Sequence, residues 1–132
     1  MVEGACLCGK VRFAVESFSS AIFKCHCSKC RKSSGGASSA AALATKENFH
    51  WLQGDETVRE YRTESGFTRR FCPDCGSILP QFLSAHELFW VPAGLLESDP
   101  GIALKKHIHV DSKAPWEILD ELTRKHSEGL GS

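Results

Sequence analysis

Seven cysteines fall into three tight groups in this chain of 132 residues: Cys6-x-Cys8, Cys25-x-Cys27-x-x-Cys30 and Cys72-x-x-Cys75. No other feature of the sequence limits the fold so strongly. A disulfide framework would leave one thiol over, and nothing else in the sequence points to an oxidising compartment. Short spacers of this kind are instead the pattern of sulfurs that share an ion.

Cys6 and Cys8 are two residues apart, so on an extended chain both point to the same side. Gly9 follows and permits a turn that aims backbone N–H groups at sulfur. Cys72 and Cys75 sit in CPDCG, where the proline sets a turn and the glycine lets it close. Neither pair fills a tetrahedron alone. Together they form a closed structural zinc site with Zn–S distances of about 2.3 Å, the alternative being four free buried thiols. Cys25, Cys27 and Cys30 lie on one loop and can occupy one face of a second tetrahedron. Three protein ligands with an exchangeable fourth corner is the form of a catalytic zinc. The run Ser33-Ser34-Gly35-Gly36 would keep that corner clear. Two other arrangements use the same residues: a histidine or an acid elsewhere completes the triplet, or CPDCG closes on the triplet and leaves Cys6 and Cys8 over.

The length suggests one domain, read as residues 1–126 with a flexible tail over 127–132, and 42% apolar content is enough for a modest core. Lys plus Arg equal Asp plus Glu at 16 each, which gives no electrostatic case for nucleic acid or an anionic membrane. With every thiol ionised on two zinc ions the chain would carry about −3. No apolar run approaches the ~20 residues of a membrane span, and the N-terminus has no hydrophobic signal core. The expected location is the reduced cytoplasm.

The rest of the chain reads as mainly β. KVRFAVE (10–16) alternates, with Val11, Phe13 and Val15 on one face. AIFK (21–24), TVREYR (57–62), LFWVPAGLL (88–96, broken at Pro92) and LKKHIHV (104–110) are further strands. ASSAAALA (37–44) fits strand or helix. Pro115 followed by WEILDELTRKH predicts a short C-terminal helix with Ile118, Leu119 and Leu122 on one face.

Five segments in register, GACLCGKVRF, CHCSKCRKSSG, SGFTRRFCPDCGS, VPAGLL and HIHVDSKAPW, resemble the GFA family, named for the glutathione-dependent formaldehyde-activating enzyme and including the centromere protein V domain. The likeness runs over roughly residues 4–122. It implies a twisted β-sandwich of the β-tent type stapled by zinc. It also implies a structural zinc on Cys6, Cys8, Cys72 and Cys75 and a catalytic-type zinc on Cys25, Cys27 and Cys30. The namesake reaction joins formaldehyde and glutathione as S-(hydroxymethyl)glutathione and is classed as a carbon–sulfur lyase. This chain resembles the short, generic form of the domain, without the extra length of the named enzyme.

A zinc held by three thiolates carries net −1, so it drives water to hydroxide less readily than one held by neutral histidines. It remains thiophilic and lowers the pKa of a bound thiol from about 8.5. The expectation is therefore a carbon–sulfur lyase acting on adducts of a small thiol, such as glutathione, with an aldehyde. The alternatives are a protein that binds thiols without turnover and a two-zinc module that works by contact with a partner. Ser34 and Gly35 are candidates for a substrate carboxylate, through a hydroxyl and an open N–H, and Lys32, Arg69 and Arg70 for attracting it. His26 reads as a solvated loop residue or, alternatively, one that supports the ligands from behind, and His107 and His109, on one strand face, as packing or surface residues. Trp116 reads as a core or lid aromatic. Leu88, Phe89 and Trp90 face either the core or a partner in a homodimer.

Overall fold

Val11, Phe13 and Val15, the apolar face of the first alternating segment, are wholly buried, and Arg12–Val15 form a strand, β2. It lies between β1 (Val2–Ala5) and β5 (Phe49–Gln53) in a small antiparallel sheet. The second sheet is built on β3 (Ile22–Cys25), β4 (Ser39–Thr45), β8 (Gln81–Leu83), β9 (Leu88–Pro92), β10 (Leu104–Ile108) and β11 (Arg124–Lys125). Its order is β11-β10-β3-β4-β9-β8. Strands β6 (Arg59–Arg62) and β7 (Thr68–Phe71) form a separate two-stranded ribbon, and α1 (Ser28–Ser34) joins β3 to β4. The computed structural model describes residues 1–121 and 123–129.

The main core lies between the two sheets. Phe13, Val15 and Phe49 from the small sheet meet Ala44 and Val91 from the large one, and the Phe49 ring stacks on Phe89 at 3.9 Å between centroids. Each such side chain contributes about 1.5–3 kcal/mol relative to exposure. The alanine run, ambiguous in sequence, is strand. It pairs with β3 on one side and β9 on the other. Ala44 serves the core between the sheets, whereas Ala41 packs in a second cluster with Phe23, Cys25, Cys30 and Ile108. A central strand covered on both faces favours small side chains at a crowded position more than helix propensity opposes it.

The C-terminal helix is not formed. Residues 115–117 make a turn, the segment beyond it carries no helix among the described residues, and β11 adds parallel to the edge of β10. Trp116 and Ile118 are 69% and 91% exposed, so Ile118 covers no core surface, and Trp116 is not a core aromatic. Local polar bonds hold the alternative: Lys113 Nζ donates to the Glu117 carbonyl at 2.9 Å, and the Asp120 carboxylate accepts from the Thr123 N–H at 2.6 Å. Strand-like backbone bonds then satisfy the chain, with His126 N–H to His107 O at 2.8 Å and Val110 N–H to His126 O at 3.0 Å. Leu122 and residues 130–132 of the expected tail lie outside the described residues. Within the tail, the Glu128 carbonyl accepts from the His109 N–H at 2.8 Å. No helix among the described residues is long and apolar enough to cross a membrane.

Candidate metal centre and thiol pocket

All seven cysteines are free thiols, and they gather into two clusters. Cys6, Cys8, Cys72 and Cys75 bring four sulfurs within 4.8 Å of one another, and Cys25, Cys27 and Cys30 bring three. Sulfurs bound tetrahedrally at about 2.3 Å to an ion of zinc's size stand about 3.8 Å apart. Cys6 and Cys8 are 3.6 Å apart and Cys8 and Cys72 are 3.8 Å apart, so the first cluster already has the edge lengths of such a site. The geometry thus divides the cysteines as four plus three, and CPDCG does not close on the triplet.

The four-sulfur cluster joins the start of the chain to its middle. Val11 N–H donates to Cys6 Sγ at 3.3 Å. Gly9, at φ 81°, makes the turn as expected, but its own N–H goes to the Cys6 carbonyl rather than to sulfur. Ser77 links the two halves: its oxygen accepts from the Leu7 N–H at 2.9 Å and lies 3.3 Å from Cys75 Sγ. That hydroxyl and the Ser77 backbone N–H hold the Cys75 thiol low, at about 5. Cys6, Val11, Cys72 and Leu79 bury the cluster's inner side.

The three-thiol cluster is set out by a strand end and a helix start. Cys25 ends β3, Cys27 is the N-cap of α1 and accepts from the Cys30 N–H at 3.3 Å, and Cys30 is buried in the first turn of that helix. Residues 28–34 are helix where the sequence suggests loop. The seven-residue helix has small and charged residues but little apolar periodicity, and only Cys30 is buried along it. Hydrogen bonding from Cys25, and after it the Arg69 charge, place the Cys30 thiol low, at about 5, while the same partner and burial push Cys25 up. One ionised sulfur held by its neighbours is the arrangement a bound cation would extend to all three.

These thiols form one wall of a cavity of about 340 Å³. Phe67 and Arg69 from the β6–β7 ribbon, Trp90 from β9 and His109 beyond β10 complete the part nearest the sulfurs. Arg69 Nη2 donates to Cys30 Sγ at 3.0 Å and its Nε to Ser33 Oγ at 3.0 Å. Its guanidinium lies 4.5 Å from the Phe67 ring centroid and 6.0 Å from that of Trp90. A charge fixed by two hydrogen bonds and two rings is far from a solvated surface arginine. Arg70, its neighbour on the alternate face, pairs instead with Glu60 at 3.3 Å, and Lys32 is exposed outside this wall.

Ser34 and Gly35 do not line the thiol cavity. The Gly35 N–H, expected to be open, is bonded to Arg31 O at 2.8 Å as the left-handed C-cap of α1. Ser34 Oγ donates to Ser38 O at 3.2 Å and accepts from the Gly36 N–H at 3.3 Å. It lines a separate cavity on the other side of Arg69 and Trp90. The run that follows the thiols therefore ends a helix, and β7 and Trp90 frame the opening.

His26 is not solvated: it is wholly buried, and its Nε2 lies 2.8 Å from His107 Nδ1. Burial lowers the pKa of both rings, and each is kept neutral. His26 N–H also bonds Ile108 O at 3.0 Å, so the ring between two thiols anchors their loop to β10. His107 and His109 do not share a face. His109 stands at φ 55°, and that reversal sends His107 to the interior and His109 to the cavity wall. The i, i+2 spacing signals a common face only on regular strand.

Phe89 and Trp90 serve the interior, and half-buried Leu88 lines a neighbouring cavity. Trp90 stands edge-on to Phe23 at 5.0 Å, and Phe89 stacks in the core between the sheets.

The GFA family, described as glutathione-dependent formaldehyde-activating enzyme, matches residues 1–112. A Halomonas elongata protein, provisionally named a glutathione-dependent formaldehyde-activating enzyme, is 35% identical over 124 residues, which cover 88% of this chain and 79% of that protein. The crystal structure of a Rhodobacter sphaeroides protein solved in a structural genomics programme matches with a TM-score of 0.61. At 23% identity it covers 78% of this chain and all but 1% of its own (99%), a likeness of fold.

Proposed function

The chain belongs to the glutathione-dependent formaldehyde-activating enzyme family, and from that premise we propose that it is a zinc-dependent carbon–sulfur lyase. It would join glutathione or a similar thiol to formaldehyde and release the two in reverse. Cys6, Cys8, Cys72 and Cys75 would hold a structural zinc, and Cys25, Cys27 and Cys30 a second zinc at the reaction site. The working unit would be one domain over 1–126 in the reduced cytoplasm, where free thiols persist. The observation that carries the reading is the convergence of three thiols on the wall of a cavity that also holds a fixed guanidinium.

Zinc on those sulfurs supplies thiophilic Lewis acidity, which lowers a substrate thiol's pKa from about 8.5. The chain's own residues do the rest. Arg69 offsets negative charge at Cys30 and has donors beyond the two it uses on Cys30 and Ser33, so it can also hold a substrate carboxylate. Phe67 and Trp90 limit water on that side. The new bond joins sulfur to the carbonyl carbon, and the proton released from sulfur ends on the carbonyl oxygen. His109 is the one imidazole among the described residues lining this cavity, and it is placed to carry that proton.

The test is a cobalt-substituted protein titrated with glutathione while the sulfur-to-cobalt charge-transfer band is recorded, followed by exchange NMR of glutathione with formaldehyde. A band that grows to saturation and exchange faster than the uncatalysed rate are expected. Arg69→Lys should weaken glutathione binding about tenfold or more, because an ammonium cannot reproduce the planar fork. A flat titration with both ions bound would sink the reading, and saturation without acceleration would leave a thiol-binding protein.

A further inference from the structure

The cavity does not stop at the thiols. Leu83, Trp90, Ile108 and His109 line both the thiol cavity and a second one of about 430 Å³, so the two adjoin along these four residues. The far compartment is further lined by Leu43, His86, Leu88 and Gly129. The two ends differ in chemistry. Arg69 bonds a sulfur at the thiol end, and Thr68 and Gln81 also line that cavity. Among the described residues, no Asp, Glu, Lys or Arg lines the far end.

The junction is held in place. Ile108 is 3% exposed, and Trp90 is braced edge-on against Phe23. His109 keeps a left-handed backbone that non-glycine residues seldom adopt, fixed by its N–H on Glu128 O. Formaldehyde has no substituent to fill an apolar compartment. The remainder of glutathione, with its amides and carboxylates, would lose hydration there without gaining partners.

We propose that the natural adduct is amphipathic: a polar thiol held at the Arg69 end, and an aldehyde-derived carbon whose alkyl or aryl substituent runs past Trp90 into the Leu43–Leu83–Leu88 compartment. The proposal rests on the carbon–sulfur lyase reading and names its substrate class, longer or aromatic aldehydes. The step balances without an oxidant. A sulfur lone pair forms the S–C bond, the C=O π pair moves to oxygen, and oxygen takes the proton that sulfur gave up.

The test uses the zinc-loaded full chain and two unreactive thioethers, S-methylglutathione and S-hexylglutathione, titrated by calorimetry. S-hexylglutathione should bind about tenfold or more tightly, since each buried methylene adds to affinity. Leu88→Trp fills the far compartment without touching the thiol wall, and should erase the preference while changing S-methylglutathione affinity less than about twofold. His86→Trp does the same from an exposed position that the core does not depend on, and serves if Leu88→Trp fails to fold. Equal affinity for the two thioethers, or a preference that survives the substitution, overturns the proposal. Rates of adduct formation with formaldehyde and hexanal separate the two readings. A hexyl preference without acceleration of either aldehyde upholds the amphipathic site and overturns the lyase reading. Acceleration with formaldehyde and no preference for the longer chain does the reverse.

Discussion

His26 stands between two thiols yet turns its ring away from them, to His107 at 2.8 Å. Among the described residues neither His26 Nδ1 nor His107 Nε2 has a hydrogen-bond partner, so the bond between the rings is the polar contact the two side chains share. Its effect is to fix the loop between Cys25 and Cys27 on β10, where His107 and Ile108 pair with Lys24 and Cys25. Replacing His107 with Leu should leave a buried imidazole unpartnered, at a cost of about 1–3 kcal/mol. It should also weaken metal retention by the three thiols about 10–100-fold, the usual effect of losing a group that orients ligands. Competition with a chromophoric chelator would show two ions, of which one becomes easier to extract. If both ions left more easily by the same factor, the pair would be supporting the fold as a whole and not the thiol loop. Such a role was not legible in the sequence, because a histidine inside C-x-C has no local signature that separates burial from solvation.

Elements with a two-residue period were legible, and those defined by their neighbours were not. The segment containing Phe13 and Val15 announces one buried face, whereas the alanine run of β4 becomes strand only because β3 and β9 flank it. The C-terminal stretch shows the converse: Ile118, part of a plausible apolar stripe at 3.6 spacing, is left exposed, and the backbone pairs with β10 instead. The grouping of the thiols as four and three was legible from spacing, but Arg69 was not distinguishable from Arg70 until the ribbon placed them on opposite faces. One turn ties an element to the metal centre. Gly54 adopts φ 76°, and a side chain there would strike the Lys10 carbonyl and the Val11 backbone. Val11 N–H is the donor to Cys6 Sγ, so the turn seats the first cysteine pair. Gly54→Ala should destabilise the protein by about 2 kcal/mol or more, seen as a lower denaturant midpoint. The metal-loaded form should lose more than the metal-free chain. An unchanged midpoint would mean that the loop relaxes without disturbing the sulfurs.

Across the whole molecule the proposed function gives the two clusters unequal duties. The four-sulfur cluster joins residues 64 positions apart, Cys8 and Cys72, and the apolar set around it is small: Cys6, Val11, Cys72 and Leu79. In a domain of this size the energy of a metal bound there would be a large share of folding stability. Cys72→Ser should therefore unfold the chain at room temperature or lower its melting point steeply. Cys25→Ser, which leaves the staple intact, should keep most of the circular dichroism while abolishing the glutathione-dependent cobalt band. Equal melting of the two variants would refute the division. The separation of 64 residues also sets an order of events on the ribosome. The three-thiol group is complete once residue 30 has emerged, whereas the four-sulfur group waits for Cys75, so a nascent chain offers an ion the three thiols before it offers the four.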